Sequence, residues 1–191
     1  MNEVLKQRLN KVIPRIESKE LLTNAGLGNE IGFYIFDYPP EEELEVRKFV
    51  RFALDQMVRK PGGARVAYVN IFRLLIDHLK SRNLLDRALK LQKEKGDGEL
   101  RRALQGPLHE GKIAKAFVEA ADPEQHDVVL MTGVGSAWPL LRSHTLLNNL
   151  HPLMKSIPLV VFYPGAYDGQ SLRLFGRLND NNYYRAFRLV P

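Results

Sequence analysis

Ile31-Gly32-Phe33-Tyr34-Ile35-Phe36-Asp37, running into Tyr38-Pro39-Pro40-Glu41-Glu42-Glu43, is the stretch on which the reading of this chain turns. Its first seven residues are a short, nearly continuous apolar run, the pattern of a strand buried on both faces. The two prolines cannot lie inside the helix that follows, and the three glutamates suit the positive end of its dipole. Val46, Val50, Ala53, Leu54 and Met57 give that helix one apolar face.

The same alternation repeats downstream. Gly62-Gly63 closes the first helix, and Val66-Ala67-Tyr68-Val69-Asn70-Ile71 reads as a second strand. Residues 74–104 are mostly helical, interrupted by Gly96-Asp97-Gly98, and form a helical insertion at about 74–105. A helix over 113–121 leads to a third strand, Asp127-Val128-Val129-Leu130-Met131-Thr132-Gly133, and a helix over 140–150 leads to a fourth, Pro158-Leu159-Val160-Val161-Phe162-Tyr163. Pro164-Gly165 is expected to stop that strand, and residues 183–190 supply a fifth. Upstream, Leu5, Leu9, Val12 and Ile16 recur at helical spacing within 1–18, with Pro14 expected to bend or end the helix. Apolar strands alternating with helices predict one α/β domain over 1–191: three layers, a mostly parallel sheet, helices on both faces and right-handed crossovers.

In such a sheet, ligands bind outside the carboxyl ends of the strands. A nucleotide-hydrolysing sheet would run its first strand into a glycine-rich loop followed by Lys and Ser/Thr. Here two prolines delete amide donors at that place, and the carboxylates of Asp37, Glu41, Glu42 and Glu43 repel phosphate. The third strand ends in Thr132 and Gly133, without the acidic residue that would hold magnesium. The order of elements resembles a RecA-like or AAA-like core that lacks the phosphate-binding loop. That resemblance concerns fold alone.

The carboxyl-edge rule singles out Asp37, Tyr38, residues 132–138, and 163–168. Thr132-Gly133-Val134-Gly135-Ser136 is read first as a turn chosen for backbone geometry, ahead of an anion nest or an unconventional nucleotide site. Arg142, Ser143, His144 and Asn148-Asn149 form a polar set, in which Ser143 reads as a helix cap and the asparagines as the close of that helix. His144 and His151 stand seven apart without metal-ligand spacing, so no metal and no cofactor is expected. Tyr167, Asp168, Gln170 and Ser171 carry an acid, an amide and hydroxyls, yet Asp168-Gly169 is a turn signal and no serine sits in a nucleophile elbow. Tyr183, Tyr184, Arg185 and Arg188 mix aromatics with arginine, a composition favoured where proteins meet partners. No catalytic residue is assigned. Asp37, Tyr38, Arg142, His144, Asn148, Tyr167, Asp168, Gln170, Tyr183, Tyr184, Arg185 and Arg188 are the candidate interaction surface.

Bulk composition narrows the classes further. The 191 residues contain no cysteine, which removes disulfides, thiolate zinc sites and cysteine nucleophiles. The N-terminus mixes charges into its first turns instead of building a secretory apolar core, and no apolar run approaches the ~20 residues that span a bilayer, so a cytoplasmic protein is expected. Net charge is +6, and residues 61–105 hold ten Lys/Arg against five Asp/Glu. The plain reading is a solvated helical face. The sharper alternative is a nucleic-acid surface made by Arg82, Arg87, Lys90, Lys93, Arg101 and Arg102.

Several strings are specific enough to carry a resemblance. Gly26-Leu27-Gly28-Asn29-Glu30, Tyr34-Ile35-Phe36-Asp37-Tyr38-Pro39-Pro40-Glu41-Glu42-Glu43-Leu44, Leu141-Arg142-Ser143-His144-Thr145-Leu146-Leu147-Asn148-Asn149-Leu150 and Phe162-Tyr163-Pro164-Gly165-Ala166-Tyr167-Asp168-Gly169-Gln170-Ser171-Leu172, with Asn182-Tyr183-Tyr184-Arg185-Ala186-Phe187-Arg188-Leu189, resemble the BrxB family of BREX bacteriophage-exclusion systems. The resemblance covers nearly the whole chain. It implies an antiphage-defence component encoded beside a DNA methyltransferase, a large ATPase and the alkaline-phosphatase-like protein PglZ. Other BREX proteins, PglZ foremost, are then the expected partners. The family brings no catalytic residues to carry over, so a non-enzymatic adaptor or assembly subunit is expected.

Overall fold

The computed structural model describes residues 2–23, 32–179 and 186–191. Among these, strands β1 (Phe33–Tyr38), β2 (Val66–Asn70), β3 (Val128–Thr132), β4 (Leu159–Tyr167), β5 (Leu172–Leu174), β6 (Leu178–Asn179) and β7 (Phe187–Arg188) form one sheet. Its spine, in the order β2-β3-β4-β1-β7, is parallel throughout, while β5 and β6 extend the end of β4 as an antiparallel hairpin. The three-layer, mostly parallel architecture expected from the sequence is the one observed.

Alternation within each strand explains why both faces need cover. Phe33 and Ile35 of β1, Val129 and Met131 of β3, and Leu159, Val161 and Tyr163 of β4 point to one face. Tyr34, Phe36 and Tyr38, Val128 and Leu130, and Val160 and Phe162 point to the other, and all are buried. At roughly 1.5–3 kcal/mol for each large apolar side chain removed from water, this double burial is the main favourable contribution to the fold. Helices α5 (Ile71–Ser81), α6 (Leu85–Leu104), α7 (Glu110–Ala121), α8 (Val134–Ala137) and α9 (Ser143–Met154) supply the first face. Helices α1 (Glu3–Asn10), α2 (Val12–Ile16), α3 (Lys19–Leu22) and α4 (Glu43–Arg59) supply the second. The crossover from β1 to β2 runs in one direction over the α4 face, and those from β2 to β3 and β3 to β4 run back over the opposite face, as crossovers of a single hand require.

Several local expectations are corrected. The N-terminal helix breaks at Lys11, not at Pro14, which lies in the first turn of α2 where no intrahelical amide bond is lost. Strand β2 ends at Asn70, whose side chain accepts from the Arg73 amide and caps α5, so Ile71 belongs to the helix. The fourth strand does not stop at Pro164-Gly165. It changes partner there, pairing with β1 as far as Pro164 and with β5 from Gly165 onward. Gly165 is required because a Cβ would lie 2.1 Å from the Arg173 carbonyl oxygen. Ser143 is the first helical residue of α9 and not its cap, and Asn149 lies mid-helix, donating back to the Thr145 carbonyl at 2.8 Å. The fifth parallel strand is short, Phe187–Arg188.

The insertion divides in two. Helix α5 buries Ile71, Leu75 and Leu79 in the core and is an integral layer of the fold. Helix α6 is an arm against it, broken at Gly96 (φ 80°, ψ 179°). A left-handed φ of this kind is open to glycine without a Cβ penalty.

Candidate interaction surface at the carboxyl edge of the sheet

Asp37 stands at the carboxyl end of β1, and its carboxylate is the hub of a largely buried network. Arg8 of α1 donates to Asp37 Oδ1 at 2.7 Å and to the Asp37 carbonyl at 2.8 Å, and also to the Val190 carbonyl at 3.0 Å. The Tyr167 amide donates to Asp37 Oδ2 at 3.1 Å, Arg188 approaches Oδ1 at 3.9 Å, and Arg188 also donates to the Tyr167 carbonyl. The Arg8 guanidinium lies 4.8 Å from the centre of the Phe36 ring. The Tyr167 hydroxyl is bonded to the Ala186 carbonyl (2.8 Å) and amide (3.1 Å). Asp37, Tyr167 and Arg188 are thus brought together, with Arg8 as a fourth member, and they tie α1, β1, β4 and the last residues into one corner.

A second chain of contacts runs from the turn after β1 through α4 to α8. The buried Tyr38 hydroxyl donates to Glu43 Oε2 at 2.5 Å, Glu43 Oε1 accepts from Arg47 Nε at 2.7 Å, and Arg47 Nη2 donates to Ser136 Oγ at 3.1 Å. Burial, reinforced by the Glu43 charge beside it, pushes the Tyr38 phenol far above its usual range. The turn after β3 is packed just as closely. Gly133 has φ 79°, and a Cβ there would lie 2.5 Å from Asn70 Oδ1, while a Cβ on Gly135 would meet Pro164 Cγ at 2.9 Å. Close approach and backbone geometry account for both glycines. Thr132 is bonded to the Tyr68 hydroxyl at 2.9 Å.

The other expected residues are more scattered. Arg142 and Asn148 are exposed at α9, whereas His144 is buried, with Nε2 at 3.0 Å from Thr145 Oγ1. His151 stands edge-on to the Phe33 ring. Asp168 clamps its own turn, accepting from the Gln170 and Ser171 amides and, at 2.7 Å, from the Ser171 hydroxyl. Those bonds, the Ser171 hydroxyl first, hold the carboxyl down at about 2. Tyr183, Tyr184 and Arg185 lie outside the described residues.

Within the stretch 132–138 that the carboxyl-edge rule singles out, the sequence reading assigns Trp138 no role of its own. Trp138 is 44% exposed and packs edge-to-face on Phe175, with ring centroids 6.2 Å apart. Leu178 is also exposed, on the β5–β6 hairpin whose turn carries Phe175. The available signal was that Trp138 is the sole tryptophan of the chain and follows the β3 turn directly. Away from this edge, the arm α6 carries Arg87, Lys90, Lys93, Arg101 and Arg102, with Arg82 just before it. Lys90 pairs with Glu94 and Arg102 with Glu99. Among the described residues no helix is long and apolar enough to cross a membrane.

What fold and site define together is a parallel-sheet protein whose carboxyl edge is crossed by its own hydrogen-bonded side chains and carries the exposed Trp138. The family model for "BREX protein BrxB" matches residues 67–189. The chain is 40% identical over 191 residues to the BREX protein BrxB of Escherichia coli O9:H4 (strain HS), covering all of this chain and 94% of that one. It is 35% identical over 190 residues to the BREX protein BrxB of Bacillus cereus (strain H3081.97), covering 97% of each. The chain belongs to the BrxB family and is thereby a component of a BREX antiphage defence system. No solved structure matches it.

Proposed function

We propose that this BREX component is a non-enzymatic adaptor that docks another protein of the system, PglZ, on the carboxyl edge of its sheet. The observation that carries the reading is the exposed Trp138, packed edge-on against Phe175. Tryptophan and arginine are the side chains that most often dominate binding energy at protein interfaces, and a ring already fixed by a neighbour loses little freedom on docking. The turn after the first strand, which holds prolines and carboxylates in place of a glycine-rich phosphate loop and is tied by the Tyr38–Glu43 hydrogen bond, supports the non-enzymatic part. The parallel sheet without a phosphate loop is in keeping with a RecA- or AAA-like scaffold turned to recognition. PglZ as partner follows from the family resemblance. Size-exclusion chromatography and calorimetry with purified PglZ test the proposal: a micromolar or tighter complex weakened by Trp138→Ala supports it, and independent elution of the two proteins overturns it.

A further inference from the structure

We infer a second docking surface on the arm α6: a basic-rimmed apolar groove that takes an acidic amphipathic helix of a partner protein. The break at Gly96 sets the two halves of α6 against each other. Leu84, Ala88 and Leu91 from one side and Leu100, Ala103 and Leu104 from the other then enclose a groove of about 110 Å³. An apolar cavity of roughly 150 Å³ holds a benzene-sized group, so this one fits one aliphatic anchor side chain. Gln92 Nε2 donates to Asp97 Oδ1 at 2.9 Å and braces the bend.

The rim gives the occupant its charge. Residues 82–102 hold seven basic side chains against Asp86, Glu94, Asp97 and Glu99. Two of those acids are already engaged, Glu94 by Lys90 and Glu99 by Arg102, and Asp97 accepts from Gln92. Arg82, Arg87, Lys93, Lys95 and Arg101 make no ion pair among the described residues, and Arg87 itself lines the groove. Arg87, Lys90 and Lys93 at three-residue spacing are neighbours along the helix surface and run beside the apolar face. Nucleic acid would use the cations and leave the leucine-lined groove idle. An acidic helix with apolar residues at i, i+3 and i+4 engages both.

The test places the photocrosslinker benzoylphenylalanine at Ala103, an exposed groove residue, in the full chain expressed with its complete defence operon. The expected result is a crosslink to one protein segment of net negative charge with helical apolar spacing. Arg87→Glu with Arg101→Glu is expected to reduce that crosslink about tenfold. Crosslinks that nuclease digestion removes, crosslinks to a segment lacking that charge and spacing, crosslinks to a second copy of this chain, or none at all would each overturn the inference. Because Trp138→Ala leaves the arm untouched, the crosslink is expected to persist in that variant, which separates this surface from the carboxyl edge.

Discussion

The guanidinium of Arg8 bridges the Asp37 carboxylate, 2.7 Å away, and the Val190 carbonyl, 3.0 Å away, so a single side chain fastens the first helix to strand β1 and to the last residues. With side chains only 19% and 13% exposed, neither partner is well solvated if the other is removed. Arg8→Ala or Asp37→Ala is expected to cost about 2–3 kcal/mol in urea unfolding. The double variant should cost clearly less than the sum, because the second substitution removes a charge the first has already stranded.

Tyr38 sets an alkaline limit. Its folded phenol titrates well above the ordinary tyrosine range, about 10 in the unfolded chain, so the contribution is intact below about pH 10 and is lost as pH rises beyond it, because the unfolded chain ionises first. In an absorbance titration, the amplitude that appears only on alkaline unfolding is expected to fall by one tyrosine in Tyr38→Phe.

Gly165 and Gly169 form a matched pair of tests. Alanine at 165 would bring its Cβ within 2.1 Å of the Arg173 carbonyl, whereas alanine at 169 has open space around it and only a left-handed φ of 97° to resist it. Thermal unfolding should show a loss above about 2 kcal/mol for Gly165→Ala and about 1 kcal/mol for Gly169→Ala.

Trp138→Ala separates binding from folding. The ring is exposed, so stability should change by less than about 0.5 kcal/mol. Calorimetry against PglZ is expected to register a loss of about 2 kcal/mol, close to thirtyfold in affinity.

Nucleotide should leave the protein unmoved. With prolines and carboxylates in the turn after β1 and no glycine-rich phosphate loop there, millimolar ATP with magnesium is expected to shift Tm by less than about 1 °C. A saturable rise in Tm would contradict that reading of the turn.

Much of this architecture is legible from local pattern. The apolar run before Asp37 names a doubly buried strand, and the prolines and glutamates after it name both a helix start and a missing phosphate loop. Contacts between distant residues are not legible in this way: Arg8 meets Asp37 across 29 positions and Val190 across 182, and nothing in the periodicity of α1 marks Arg8 out from Lys6 or Lys11. Pro164 misleads for a related reason. A proline reads as a strand terminus, yet here it falls where β4 changes from parallel to antiparallel neighbours, and its carbonyl accepts from the Phe175 amide at 2.9 Å. Trp138 lies inside the 132–138 stretch that the edge rule picks out, but the exposure of its ring, which depends on how that turn packs on Phe175, is not written in the local pattern.

One pair of backbone torsions decides the shape of the arm. If Gly96 took helical angles, α6 would run on as one rod, and Leu91 and Leu104, thirteen residues apart, would stand about 20 Å from each other along its axis. Bent as it is, the same stretch is a clasp whose jaws are leucine and whose outer skin is cationic. Exchanging Gly96 for a good helix former would therefore abolish a whole surface without touching any residue that lines it.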